Sequence, residues 1–549
     1  MSVRRTPFEG PLLLWMVSAL LAVGISYDPM SAWPKFAFIC GGVALFYLLA
    51  LSPSHVAWRG RDVPLLRLMV GLAPACIAMY FLLTNDWAQP VEKAAWLEPL
   101  RQWLANRQPR MALPRLHPNL VGGALAMCLP LQVAALLPRP GLPAYASITG
   151  FAVGSGVLLL GLSGLGLLLS SLRGAWLALV MSVGMCLWWR LTDRWVGVRG
   201  RLVTFVGWAA GLSIVALVSL VVSGGQLPTL RPDRVFVWRN SLDLAWDYFF
   251  TGLGLGGFTM AYSSYALLVH VPHTTHAHNL FLDMWLEQGV VGLFAFAWLL
   301  LVAFARGFSR RGPPIRWRSA ALMALLVVVL HGLVDDVYYG YGGAGTLLLF
   351  VPVALMARRG ERSSSRGIPF GKKARVAMWG TGAVALAVAI GMPATRSLWE
   401  ANLGALLQTR AELSRYRWPQ WPLQDALRRA HRVSLAAAMG HYHAALAIDS
   451  GNVVAHRRLG QIELSMGRYD NARRHLEAAY QAAPDQNATR QLFGESLAVS
   501  GDITGAADLW RTVPSEEDQL SIRHWWYTSI DDQQRARWVQ EAIALSHGK

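Results

Sequence analysis

The chain has 549 residues, 54% of them hydrophobic and only 15% charged, with a formal net charge of +18. A soluble protein is about 25% charged, and here the apolar residues come in runs of about 20, the length that crosses a bilayer as a helix, so a string of ordinary soluble domains is excluded. The basic excess gathers in short loops between those runs, where it orients a membrane protein and meets anionic headgroups; it does not imply nucleic-acid binding.

Taken in chain order, basic residues precede a first apolar run that lacks an Ala-x-Ala cleavage site, which predicts residues 11–27 as a retained span and not a signal peptide. Further spans are predicted at 36–51, 65–84, 119–138, 144–169, 174–191, 202–222, 280–304, 319–337, 342–357 and 374–393, eleven in all. Cys40, Cys76, Cys128 and Cys186 each fall in a different span and read as small core residues, not as a disulfide framework or a metal site. With the N-terminus placed in the cytoplasm, the loops assigned inside carry roughly twice as many Lys and Arg as those assigned outside, although the outside set includes the two longest loops. An odd number of spans then places the C-terminal region outside.

From about residue 395 the composition becomes that of a soluble helical region, which divides the chain into a membrane domain, 1–395, and a second domain, 396–549. Within 453–486, Leu459, Gly460, Gly467, Tyr469, Ala472, Ala479 and Pro484 resemble the 34-residue tetratricopeptide pattern of small and large residues. Ala438, Tyr442 and Ala445 fall in register one period earlier; Phe493, Gly494, Gly501 and Ala506 do so one period later. The expected fold is therefore all-α: a polytopic helical membrane protein followed by a tetratricopeptide-like solenoid of about three repeats, with a concave face for a protein partner.

The long loop 223–279, on the exported side, holds Arg231, Arg234, Arg239, His270, His273, His276 and His278. Arginines there run against the topological bias and ask for an anionic partner; headgroup anchoring, or pairing with Asp233, Asp243 and Asp247, would explain them as well. Arg173, between two apolar runs, is either a snorkelling arginine or a second guanidinium. Two such planar forks converging at the membrane surface suit a diphosphate, which suggests a lipid-linked pyrophosphate. His278 stands at the mouth of a predicted span, as a general base or as an interfacial hydrogen-bonding residue. Zinc binding by the four histidines finds little support, because no i, i+4 pair, cysteine or close carboxylate completes a site. Gly252, Gly254 and Gly257 satisfy GxGxxG without the strand that a dinucleotide fold requires, so a tight turn is expected. His331 and Asp335, four apart in a span, read equally as functional groups or as a mutually satisfied pair, with Asp336 and Tyr338 near the same outer surface.

Four motifs resemble the O-antigen ligase and polymerase family, covering about residues 115–340: Leu116-His117-Pro118-Asn119 before a span; Leu172-Arg173-Gly174-Ala175-Trp176; Arg234-Val-Phe-Val-Trp238 followed by Gly252-Leu-Gly254; and His278-Asn279 with Gly289 and Gly292. Leu172 stands where the family often has Ser, and Phe250-Thr251 where a Pro commonly precedes the first Gly. The resemblance implies an inverting GT-C-type glycosyltransferase of a bacterial inner membrane, needing neither metal nor cofactor. Its donor would be an undecaprenyl-pyrophosphate-linked glycan, and its acceptor lipid A core for a ligase or another lipid-linked repeat for a polymerase. Carried over, Arg173 and Arg234 hold the pyrophosphate and His278 takes the acceptor proton. Arg239, His276, Asn279, Asn119 and Asp335 are expected to bind substrate. Protein O-oligosaccharyl transfer, or a non-catalytic transporter or scaffold displaying the repeats, are the alternatives.

Overall fold

A computed structural model describes residues 6–51, 56–58, 61–63, 65–89, 92–109, 113–136, 146–192, 232–269, 274–308, 315–340, 343–358, 391–414, 416, 423–513 and 519–548. Nine of the predicted spans fall on helices: α1 (Glu9–Ile25), α2 (Pro29–Leu51), α3 (Leu65–Thr84), α5 (Pro118–Leu136), α6 (Ala146–Leu169), α7 (Arg173–Thr192), α10 (Leu280–Phe308), α11 (Ile315–Gly332) and α12 (Thr346–Ala357). Among the described residues, Pro29–Leu51, Pro118–Leu136 and Leu280–Gly307 are long and apolar enough to cross a membrane, and five further apolar helices are shorter. The predicted spans 202–222 and, but for its last residues, 374–393 lie outside the described residues. Between membrane helices, α4 (Glu98–Arg107) precedes α5, while α8 (Pro232–Asp247) and α9 (Phe258–Ala266) precede α10.

Two details depart from the expectation. A short antiparallel hairpin, β1 (Val56–Trp58) with β2 (Arg61–Val63), joins α2 to α3, with Trp58 opposite Arg61. Lys35, which the predicted spans 11–27 and 36–51 leave in a loop, sits inside α2 and is buried, its Nζ 2.6 Å from Glu287 Oε2 of α10. A lysine at that depth is tolerated because the carboxylate partner removes the cost of an isolated charge.

The helix α5 runs through the middle of the bundle, packed against α3, α6, α7 and α11. Its start is lined with small residues, and a Cβ at Gly123 would collide with Val337 and His331, while one at Gly122 would collide with Ser170 and Leu172. Close backbone approach of this kind is how helices associate where no hydrophobic drive exists between them. It brings the first turn of α5 against the start of α7 and the end of α11.

Among the described residues of 393–546, helices pack in successive pairs: Pro393–Leu413 with Ala436–Ile448, with the short helix Gln424–Arg429 between them in sequence, then Val453–Ser465 with Tyr469–Ala482, Asn487–Ala498 with Ile503–Arg511, and Ser521–Ser529 with Gln533–Ser546. The small residues sit where helices touch. A Cβ on Gly460 would press into Leu476, and one on Gly404 or Gly494 into Tyr442 or Trp510.

Candidate functional site

Four helix ends meet at one end of the bundle: the starts of α5, α7 and α10 and the C-terminal end of α11. His278 lies two residues before α10 in a left-handed conformation, φ 53°, which costs a non-glycine residue of order 1–3 kcal/mol unless its surroundings enforce it. Here they do. Ala277 N–H donates to Asp283 Oδ1 at 2.7 Å, the Asn279 side chain accepts from Phe281 N and Leu282 N at 3.1 Å each as the cap of α10, and Trp238 Nε1 of α8 donates to the His278 carbonyl at 3.2 Å. Asn279 Nδ2 also reaches the Leu333 carbonyl beyond α11, at 3.1 Å.

Just past the end of α11 the chain turns on Val334 N and Asp335 N, which donate to the His331 carbonyl, and presents Asp335, which is fully buried. This carboxylate is the hub of the site. Its Oδ1 lies 3.2 Å from His278 Nδ1 and 3.4 Å from His276 Nε2, and accepts Asp336 N–H at 3.0 Å. Its Oδ2 accepts Asn119 Nδ2 at 2.9 Å and lies 3.6 Å from Arg234 Nη2. Arg234 also donates from Nη1 to the Val334 carbonyl at 2.6 Å and keeps 21% of its side chain exposed, so its guanidinium is anchored on one side and open on the other. His117, beside the cluster, accepts Asn119 N–H on Nδ1; burial lowers its pKa.

Arg173 is exposed at the first position of α7. The next residue, Gly174, backs onto Val334 and His331, which places Arg173 beside the same turn that Arg234 grips. Arg239, expected at the site, faces elsewhere: it is exposed and donates to the Asp485 carbonyl at 2.7 Å. Of the two readings weighed equally for His331 and Asp335, the mutually satisfied pair is not formed: among the described residues neither His331 ring nitrogen has a hydrogen-bond partner. His270, His273 and Arg231 lie outside the described residues.

The structure corrects the reading that no carboxylate comes near the histidines. His276, His278 and Asp335 bring one ligand atom each within 4.8 Å of one another, a set able to hold a metal ion. The Arg234 guanidinium on that same carboxylate opposes a second cation by like-charge repulsion. As expected, the GxGxxG stretch is a turn: Gly252 and Gly254 have φ of 66° and 85°, and Leu253 N and Gly254 N donate to the Leu286 and Glu287 carbonyls at a break in α10, where Gly289 has φ 67°. Sequence reasoning did not single out Asp283 and Glu287. Acidic residues inside an apolar helix were the available signal.

Fold and site thus define a helical membrane protein with a His–Asp–Arg cluster at one end of its bundle. Residues 158–297 match the family model described as O-antigen ligase. The match supports the O-antigen ligase and polymerase family and glycosyl transfer of that type; no curated protein matches the chain. The matched stretch contains Arg173, Arg234, Arg239, His276, His278 and Asn279. Asn119 and Asp335 lie outside it, and the fold brings them in.

Proposed function

We propose that the protein transfers a glycan from an undecaprenyl-pyrophosphate carrier to an acceptor hydroxyl on the exported face of a bacterial inner membrane, as a surface-polysaccharide polymerase or O-antigen ligase. The observation that carries this reading is the His278–Asp335 contact beside a half-open Arg234. Asp335 orients the imidazole through Nδ1, so that Nε2 takes the acceptor proton. The acceptor oxygen attacks the anomeric carbon with inversion, the bond from that carbon to the phosphate oxygen breaks, and undecaprenyl pyrophosphate leaves with the electron pair. Arg234 and Arg173 meet the charge that grows on the leaving group, which stabilises the transition state more than the ground state. Asn119 and His276 hold Asp335, and Asn279 holds the His278 turn. No step needs a metal ion.

In this reading the N-terminus is cytoplasmic and residues 396–549 form a periplasmic tetratricopeptide-like domain. The shared side of the starts of α5, α7 and α10 and the end of α11 supports only that these helices alternate in direction; the side itself is read from the Lys and Arg bias of the loops. The test is polysaccharide analysis of a deletion strain complemented with wild type, His278→Ala or Arg234→Ala at equal membrane abundance. Failure of both variants is expected. Accumulated single repeats would identify a polymerase, and accumulated long unligated chains a ligase. Normal glycan from both variants overturns the proposal.

A further inference from the structure

The exported loop and the C-terminal helix pairs are joined by an interface that is polar, buried and extensive. Asp247, the last residue of α8, is 2% exposed and receives two guanidinium groups: Arg457 Nη2 at 2.5 and 2.6 Å and Arg458 Nη2 at 2.6 Å. Arg458 continues to the Tyr248 hydroxyl at 3.1 Å, and that hydroxyl meets Thr409 Oγ1 at 2.5 Å. Asn402 binds the turn after α8, accepting Phe250 N–H at 2.9 Å and Thr251 N–H at 3.2 Å. Further along the loop, Gln519 Nε2 donates to the Ala266 carbonyl, the Arg457 guanidinium lies over the Tyr265 ring at 4.7 Å, and Leu268 and Val269 join the core of Leu464, Leu492 and Trp526. The chain's own segment 258–269 thus packs along these helices, touching Gln424, Arg457, Leu464, Leu492 and Gln519.

Both gripped elements lead into the site. Helix α8 carries Arg234 and Trp238, and Asp247 lies thirteen residues beyond Arg234, about 20 Å along a rigid rod. Segment 258–269 leads to His276 and His278. We propose that the C-terminal domain is a positioning element of the catalytic site, with Asp247, Arg457 and Arg458 as positioning residues: its ligand is the exported loop of its own chain, and by clamping α8 and segment 258–269 it aims Arg234 and the two histidines at Asp335. The proposal rests on the glycosyltransferase reading only for its consequence in turnover; the clamp itself is independent of it.

The test uses the full chain, purified in detergent, as wild type, Asp247→Asn, Asp247→Glu and His278→Ala. Two properties are measured: hydrogen exchange of peptides spanning 232–247 and 258–269, and transfer from an undecaprenyl-pyrophosphate glycan normalised to folded protein. Asp247→Asn keeps the volume and removes the charge that both arginines need, so exchange in both peptides rises and the KM for the donor increases at least about tenfold, as expected for a misplaced binding group. Asp247→Glu restores part of both. His278→Ala loses transfer with wild-type exchange. Exchange unchanged in Asp247→Asn, or a KM within twofold of wild type, overturns the positioning role. Transfer by His278→Ala at the wild-type rate overturns the glycosyltransferase reading and leaves the clamp standing if exchange has responded.

Discussion

Replacing Asp335 with Asn tests the site at its hub, because the substitution keeps the shape and removes the charge. The backbone N–H of Asp336 points at Oδ1 at 3.0 Å, so the amide oxygen must take that place and the NH2 must take the place of Oδ2. That position now receives Asn119 Nδ2 at 2.9 Å and faces Arg234 Nη2 at 3.6 Å. Asn119 can turn its own amide and accept; Arg234 cannot, since a guanidinium has no acceptor. The loss therefore falls on Arg234, which is left with the Val334 carbonyl alone. At 3.6 Å that contact is an ion pair beyond hydrogen-bond reach; leaving a buried polar group without its partner costs about 1–3 kcal/mol, which at about 1.4 kcal/mol per factor of ten in rate is a loss of about 5- to 150-fold. The assay is transfer from a lipid-linked glycan in proteoliposomes, with protein amount and thermal midpoint measured alongside. Because the two residues act in one network, Asp335→Asn combined with Arg234→Ala should be no more than about threefold worse than Arg234→Ala alone. Activity of Asp335→Asn within threefold of wild type, or strictly multiplicative losses in the double variant, would refute the argument.

Other expectations follow from the same geometry. Trp238→Phe removes the donor to the His278 carbonyl, a neutral bond of about 0.5–1.5 kcal/mol, and should slow transfer about three- to tenfold at unchanged expression. Gly289→Ala places a methyl group against the Phe250 carbonyl at a positive φ and should abolish the monodisperse protein in size-exclusion chromatography; a folded variant contradicts the backbone crossing described here. Burial pushes the Asp243 carboxyl up to about 6, with Arg457 opposing and Asp247 adding to the effect. The folded state then holds that proton more tightly than the unfolded state, so the stability it contributes is present below pH 4 and is lost as the pH rises through 6. Asp243→Asn should raise the thermal midpoint at pH 7.5, with the gain gone at pH 4. Transfer should survive EDTA; loss of activity restored by zinc would reassign His276, His278 and Asp335 as metal ligands.

Much of the bundle was legible because a bilayer imposes a length and a composition on whatever crosses it. Apolar runs located eight described helices to within about five residues and a ninth, α2, with its start seven residues late; Lys35 was misplaced because a loop cation and a buried, paired one look alike in sequence. The motif residues were legible one by one, and their short-range neighbours with them: Asn279 caps the helix it precedes, and the glycines after α8 form a turn.

What sequence determined, then, was local: which segments are helices, where they stop, and which polar residues stand at their ends. Only the tertiary structure decided that Asp335 joins Asn119 across 216 residues and His278 across 57, that Arg239 turns away to Asp485, that His331 and Asp335 do not pair, and that the C-terminal helices grip α8. The physical reason is that helical periodicity and capping are properties of adjacent residues. Which helix ends converge depends on where small residues such as Gly122 and Gly123 let two backbones approach, and that is settled by the whole bundle at once.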